Sequence, residues 1–588
     1  MNTDKKIEIL RELMKENNID ALIIADMDPH QSEFVAQYWK TRQWLTGFSG
    51  SFGTAVITYE HAGLWTDFRY YVQASQQIAN TQFKLYKAGK QKVPSVIDWL
   101  VDKLNYRSVI GIDGKIFSIS QVKKYEKKLK SKNIFLNTKI DFIYKLWTTR
   151  ECLPISKAFD LPIKYAGTSR KANFVKIRKA MKKLGANFHL MTSLDDIAWT
   201  LNLRGKDIHT NPVNICFLLI SLKKVFLFIN KEKIGKQLEK TLAKDGTKLF
   251  EYNEIYSFLS KIKTTILLDP EKTSFALYKS INQTSKIINK KSPAVCFKAI
   301  KNSIQIKHIR QTAIKDGVAL ISFLYWLENQ NKQITEIKAA KKICKLRKKQ
   351  DLFFDNSFDP IVAYKEHSAI CHYSVTKKTN SIIKDKGIFL IDSGGHYFTG
   401  TTDITRTICM GEPSKQQKTD YTLILKGHIN LALALFPYGT KGFQIDTLAR
   451  QYLWKKGIDF GHGTGHGVGF FLSVHEGPAS ISPRLIDVLL DRGMVLTNEP
   501  GIYRENNYGI RLENMVLVKN AFENEFGRFL KFETLTYCHF EKDLIDKFML
   551  SLEQINWLND YHSMVKKKLF PYLDKDKKAW LRQKTMPL

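Results

Sequence analysis

Asp392 and Asp403 are the first residues of this sequence whose types and spacing suggest chemistry. They lie in residues 387–410, GIFLIDSGGHYFTGTTDITRTICM, where two apolar alternating runs flank a Gly-rich turn. That pattern predicts a β-hairpin, with Asp392 closing the first strand and Asp403 inside the second. Folding it sets two carboxylates side by side in a half-buried sheet, where repulsion and lost hydration cost several kcal/mol without a compensating cation. No Lys or Arg separates them, and strand alternation turns Arg406 to the other face. One or two bound metal ions would supply the charge. The alternative is a pair of surface carboxylates in a loop.

Three further segments bear on that choice. Residues 461–469, GHGTGHGVG, hold His462 and His466 four apart, but five glycines forbid a stable helix. As a turn or strand edge, the segment lets backbone approach closely while one histidine faces a site. Residues 493–499 read as an apolar strand ending on Glu499. Residues 508–518 read as one strand that carries Glu513 in an apolar run, where a glutamate needs a partner. Arg511, on the same face, could be that partner as a plain ion pair, and Glu499 could cap a turn before Pro500. Together, four carboxylates and one imidazole on separate strand ends make a coherent two-metal set. Oxygen-rich ligation with one histidine favours Mn²⁺, Fe²⁺ or Co²⁺, allows Zn²⁺ and disfavours a thiolate zinc site. Two metals sharing carboxylates acidify a water between them to a hydroxide nucleophile.

The elements that position these residues follow from periodicity. A helix over 5–16 and a strand over 21–25 open an α/β domain that continues through a helix at 93–104, a strand at 109–112 and a Lys-rich helix at 118–130. Helix, turn and strand recur at 173–193, which predicts a duplicated fold. A long amphipathic helix over 301–329 and another from Thr335-Glu336 to about Lys349 precede alternating strands and helices to about 550. An aromatic tail follows, with Trp557, Tyr561, Phe570, Tyr572 and Trp580 serving either as core or as a subunit contact. The expected domains are 1–155, 156–300 and 301–588, the last with an extension from about 551.

Composition narrows the function classes. At 588 residues and 44% hydrophobic, the chain can bury several cores. Its net charge of +35 invites nucleic acid, yet Lys outnumbers Arg about four to one and is spread along the chain. Readers of nucleic acid concentrate charge and use Arg for bidentate contacts, so no nucleic-acid partner is expected. Seven widely spaced cysteines without a CxxC argue for a reducing compartment. No secretory leader and no run of 18 apolar residues is found, so no membrane association is expected and the cytoplasm is.

The order Asp, ten residues, Asp, then HGTGHGVG, NEPG and IRLEN resembles the pita-bread metallopeptidases, and within them the long three-domain Xaa-Pro aminopeptidases. SEFVAQYWKTRQWLTGFSGSFGTAVIT, GLWTDFRYYVQA, SLDDIAWTLNLRG and INWLNDYH extend the resemblance over nearly the whole chain. It implies an α/β (α+β) fold, two related N-terminal α/β domains followed by a pita-bread catalytic domain. It implies two divalent ions, Mn²⁺ before Zn²⁺ or Co²⁺, held by Asp392, Asp403, His466, Glu499 and Glu513, with Asp403 and Glu513 bridging. Glu499 would be general base, His372 and His475 would bind the peptide and its oxyanion, and His462, His466 and Tyr503 would line the substrate site. Arg511 would orient Asp392, and Arg69 would reach the peptide. The implied substrates are peptides with proline second, cleaved after the first residue by a homodimer. Phe68, residues 49–52 and residues 359–365 depart from the family wording, which bears on subsite preference. A prolidase shares the ligands but usually has one N-terminal domain. The alternative from another class is an inactive peptidase fold that binds protein or nucleic acid.

Overall fold

The computed structural model describes residues 1–329 and 333–588. They form two compact units, Met1–Leu161 with Thr168–Ala294, and Pro162–Gly167 with Val295–Leu588.

The first unit contains the same six-stranded sheet twice. The first sheet runs Lys84–Lys87, Ala62–Thr66, Thr54–Thr58, Ala21–Ala25, Val109–Gly111, Phe135–Asn137. The second runs Thr247–Phe250, Val225–Ile229, Cys216–Ser221, Phe188–Met191, Ile266–Leu268, Ile287–Asn289. In both, the central strand pairs antiparallel on one side and parallel on the other. Each copy opens with a capped 14-residue helix, Thr3–Glu16 or Arg170–Lys183, which supplies the predicted helix, turn and strand. Ile7, Leu10 and Met14, and Phe174, Ile177 and Met181, are the buried faces.

The second unit builds its site from two sheets and a ribbon. Ile361–Tyr364, Gly387–Ser393 and Ile404–Met410 form a three-stranded antiparallel sheet. Gly465–Gly467, Val495–Asn498 and Asn514–Asn524 are neighbours in a six-stranded sheet, while Gly501–Arg504 pairs with Tyr508–Arg511 as a separate ribbon. Helix Ser303–Glu328 is started by a capping box between Asn302 and Gln305. Its Leu320, Phe323, Leu324 and Leu327 enter the core shared with Ile424, Ile510 and Phe540.

Two expectations are corrected, and a third, left open, is narrowed. The 387–410 hairpin pairs as predicted, Gly387 opposite Met410, but Asp403 stands one residue before its strand, after a turn with its own short strands Gly395–Tyr397 and Gly400–Thr401. Residues 508–518 are two strands in different sheets, broken at Leu512-Glu513, because the Glu513 N–H leaves the ladder for the Thr405 carbonyl. The aromatic tail folds into helices Leu552–Leu569 and Lys575–Lys584, with Tyr561 and Trp580 in the core and Tyr572 exposed.

Candidate metal centre

Asp392 is the penultimate residue of its strand, opposite Thr405. Asp403 and Glu513 lie in strand breaks, His466 is the middle residue of Gly465–Gly467, and Glu499 follows Val495–Asn498. Two glycines make this convergence possible. A Cβ on Gly465 would lie 2.0 Å from the Thr497 carbonyl oxygen, and one on Gly467 would lie 2.1 Å from that of Glu476. Only glycine lets the histidine strand sit so close to its neighbours.

The acids are buried: Asp392 is 8%, Asp403 5% and Glu513 2% exposed, so the surface alternative for the aspartates fails. Atoms of Asp403, His466 and Glu513 lie within 4.8 Å of one another. His466 Nε2 is 3.5 Å from Asp403 Oδ2 and 3.4 Å from Glu499 Oε1. Its Nδ1 is 3.0 Å from the Gly467 carbonyl, which can only accept, so Nδ1 carries a proton. In the neutral ring the Nε2 lone pair then faces two carboxylates, a repulsive arrangement that a cation between them reverses. Burial, then the neighbouring Asp392 and Glu499, push the Asp403 carboxyl well up. Burial, then Asp403 and Glu499, do the same to Glu513. Burial, aided by Asp392 against Arg511, pushes Glu499 up to about 7. Asp392 Oδ1 is buried without a hydrogen-bond partner among the described residues. An orphaned carboxylate oxygen, crowded acids and an inward imidazole lone pair fit a divalent metal centre.

Arg511 does not pair with Glu513. Its Nη2 donates to Asp392 Oδ2 at 2.6 Å, its Nη1 to the Tyr503 hydroxyl at 2.8 Å and its Nε to Thr405 Oγ1 at 3.1 Å. Thr405 Oγ1 in turn donates to Glu513 Oε2 at 2.8 Å. The Tyr503 hydroxyl, already accepting from Arg511, donates to His462 Nε2 at 2.9 Å, and His462 Nδ1 contacts the Gly463 carbonyl at 2.8 Å. His475 stacks edge-on against His466, with ring centroids 4.3 Å apart. His372 is half-buried beside Cys371, whose thiol lies 3.6 Å from the Tyr503 hydroxyl. Arg69 belongs to the first unit, where it pairs with Asp67 at 2.6 Å. Thr405 and Thr497 touch the acids and were not singled out in the sequence, because threonine is ordinary in strands.

The metallopeptidase family M24 profile matches residues 307–520, and that for the C-terminal region of these peptidases matches 528–588. The creatinase/prolidase N-terminal domain profiles match 6–141 and 149–305. Xaa-Pro aminopeptidase 1 of Dictyostelium discoideum is 36% identical over 99% of this chain and 96% of its own length. A protein of Botryotinia fuckeliana named "Probable Xaa-Pro aminopeptidase P" is 36% identical over 100% of this chain and 93% of its own. The crystal structure of the Caenorhabditis elegans X-prolyl aminopeptidase, described as a cytosolic enzyme with a di-nuclear active site, is 35% identical with a TM-score of 0.96 over 100% of both chains. The expected fold class, two related α/β domains before a pita-bread catalytic domain, stands. Matched from end to end, the chain belongs to the aminopeptidase P family of the M24 metallopeptidases.

Proposed function

We propose that this chain is an Xaa-Pro aminopeptidase, a metal-dependent exopeptidase that removes the first residue from peptides with proline second. The observation that carries the reading is the His466 imidazole, its Nε2 turned towards Asp403 and Glu499 inside a ring of buried acids. Asp392, Asp403, His466, Glu499 and Glu513 would hold two divalent ions, with Asp403 and Glu513 shared. Bound there, such ions acidify water and polarise a peptide carbonyl. The four oxygen donors and single imidazole suit Mn²⁺ and Co²⁺ and allow Zn²⁺, and among these the family resemblance favours Mn²⁺.

The chain's own residues supply the rest of the reaction. The free α-amine binds near Asp392, which limits cleavage to one residue from the N-terminus. Glu499 takes the proton of the attacking water and delivers it to the proline nitrogen as the C–N bond breaks. His475 and His372 donate to the carbonyl oxygen as it gains charge. His462 and Tyr503 wall the proline ring. An Xaa-Pro bond lacks an N–H, so recognition rests on ring shape instead of the usual backbone hydrogen bond.

The domains are taken as 1–155, 156–300 and 301–588. The protein is taken as a cytoplasmic homodimer. Seven cysteines, none in a disulfide among the described residues, support a reducing compartment, and exposed Phe548 and Leu552 supply apolar surface for a subunit contact. Among the described residues no helix is long and apolar enough to cross a membrane. Hydrolysis of an Xaa-Pro peptide series with and without chelator tests the reading. Release of the first residue from Xaa-Pro-Pro tripeptides, lost with chelator and regained with Mn²⁺, is expected. Cleavage of Xaa-Pro dipeptides alone would make it a prolidase, and no cleavage would reject the activity.

A further inference from the structure

We infer that Thr405 and Thr497 are positioning residues of the metal centre, each hydroxyl fixing the orientation of one acid, Glu513 and Glu499 respectively. The inference rests on the metal-centre reading above and adds to it two residues outside the ligand set. Both threonines are fully buried.

The direction of each hydrogen bond follows from an obligate donor on one side and, on the other, an acid in the ionised form a metal centre requires, which only accepts. Arg511 Nε can only donate, so at 3.1 Å it occupies a lone pair of Thr405 Oγ1 and turns the hydroxyl proton elsewhere. Glu513 Oε2, 2.8 Å away, receives it. At Thr497 the obligate donor is the His466 backbone N–H, 3.0 Å from Oγ1, and the hydroxyl proton goes to Glu499 Oε1 at 3.1 Å. Each threonine therefore receives from a fixed donor and passes a fixed proton to one carboxylate oxygen. Holding one oxygen of a planar carboxylate sets the direction of the other, which is what a metal centre with narrow angular tolerance requires.

The two threonines also join different parts of the site. Thr405 belongs to Ile404–Met410, opposite Asp392, and accepts the Glu513 N–H on its carbonyl at 3.1 Å. Asp392, Arg511, Thr405 and Glu513 thus form one unbroken hydrogen-bonded series. Thr497 ties the backbone of His466 to the side chain of Glu499, two residues of the proposed ligand set. Sheet formation alone would be served by valine, which has the same shape and β-branching but no hydroxyl.

Titration calorimetry with Mn²⁺ on chelator-stripped protein tests this without reference to turnover. Thr405→Val and Thr497→Val should each bind at least one ion about 10- to 100-fold more weakly, the usual cost of losing a hydrogen bond to a metal ligand. Thr405→Ser and Thr497→Ser, which keep the hydroxyl, should bind as the wild type does. A valine variant without native circular dichroism is replaced by the alanine variant, to which the same two outcomes apply. Unchanged affinity without the hydroxyl, or serine variants as weak as valine, would overturn the inference. Wild-type protein that takes up no ion rejects the metal-centre reading itself. Wild type that takes up two ions while the valine variants match it rejects only the role of the threonines.

Discussion

Arg511 and Asp392 face each other through a 2.6 Å hydrogen bond, their side chains 3% and 12% exposed, while Asp392 Oδ1 has no hydrogen-bond partner among the described residues. The guanidinium thus steadies one oxygen of the acid and leaves the other for a cation. It also donates to Tyr503 and Thr405, so one side chain holds three residues of the site.

Arg511→Met should break that arrangement from one side. A buried pair cut in this way costs about 3–5 kcal/mol, and loss of an orienting partner costs about 10- to 100-fold in metal affinity. Melting temperature and Mn²⁺ uptake should both fall. A variant that melts and binds as the wild type does would show that Asp392 is held by something else.

His475→Ala should separate charge stabilisation from metal retention. Removing a donor to a developing oxyanion lowers kcat by about 10²–10³. Metal content should stay at the wild-type value, since His475 is outside the proposed ligand set. Loss of an ion in this variant would make His475 a ligand.

Gly465→Ala and Gly467→Ala should each damage the centre through packing alone. The added carbons would stand 2.0 and 2.1 Å from backbone oxygens, so the strands must part. Overpacking of this kind costs about 1–3 kcal/mol or more. A lower melting temperature and weaker Mn²⁺ binding are expected together. Wild-type values for both would refute the close approach.

Acid should destabilise the second unit partly through His562. Burial, then the charges of Lys542 and Arg406, hold its pKa at about 3, and its Nε2 accepts the Phe540 N–H at 3.1 Å. The folded value lies below the ordinary 6.5, so between them the unfolded chain binds more protons and stability falls as pH falls. His562→Gln should therefore lose less melting temperature than the wild type between about pH 7 and about pH 4. Parallel curves would remove His562 from the acid response.

The repeated first unit was legible because helix, turn and strand recur with their own caps and apolar faces, as at Thr3–Glu16 and Arg170–Lys183. Asp392 and Asp403 were legible because two acids, one closing an apolar run and one read inside the next, repel each other and lose hydration in a half-buried hairpin. The break at Glu513 was not, since the apolar pattern continues across Leu512 and periodicity does not say which sheet a strand joins. Strand alternation offered Arg511 to Glu513, the family resemblance offered it to Asp392, and the fold gives it to Asp392. Thr405 and Thr497 carried no signal, because a strand threonine that orients an acid looks like any other.

Asp403 and Glu513 would be shared by two divalent ions in one buried cage. Elemental analysis of purified wild-type protein beside Asp403→Ala, both checked by circular dichroism, tests it most directly. The wild type should carry two divalent ions per chain and the folded variant should lose them together with hydrolysis. A folded Asp403→Ala protein that keeps both ions, or a wild type active with none, would contradict the account.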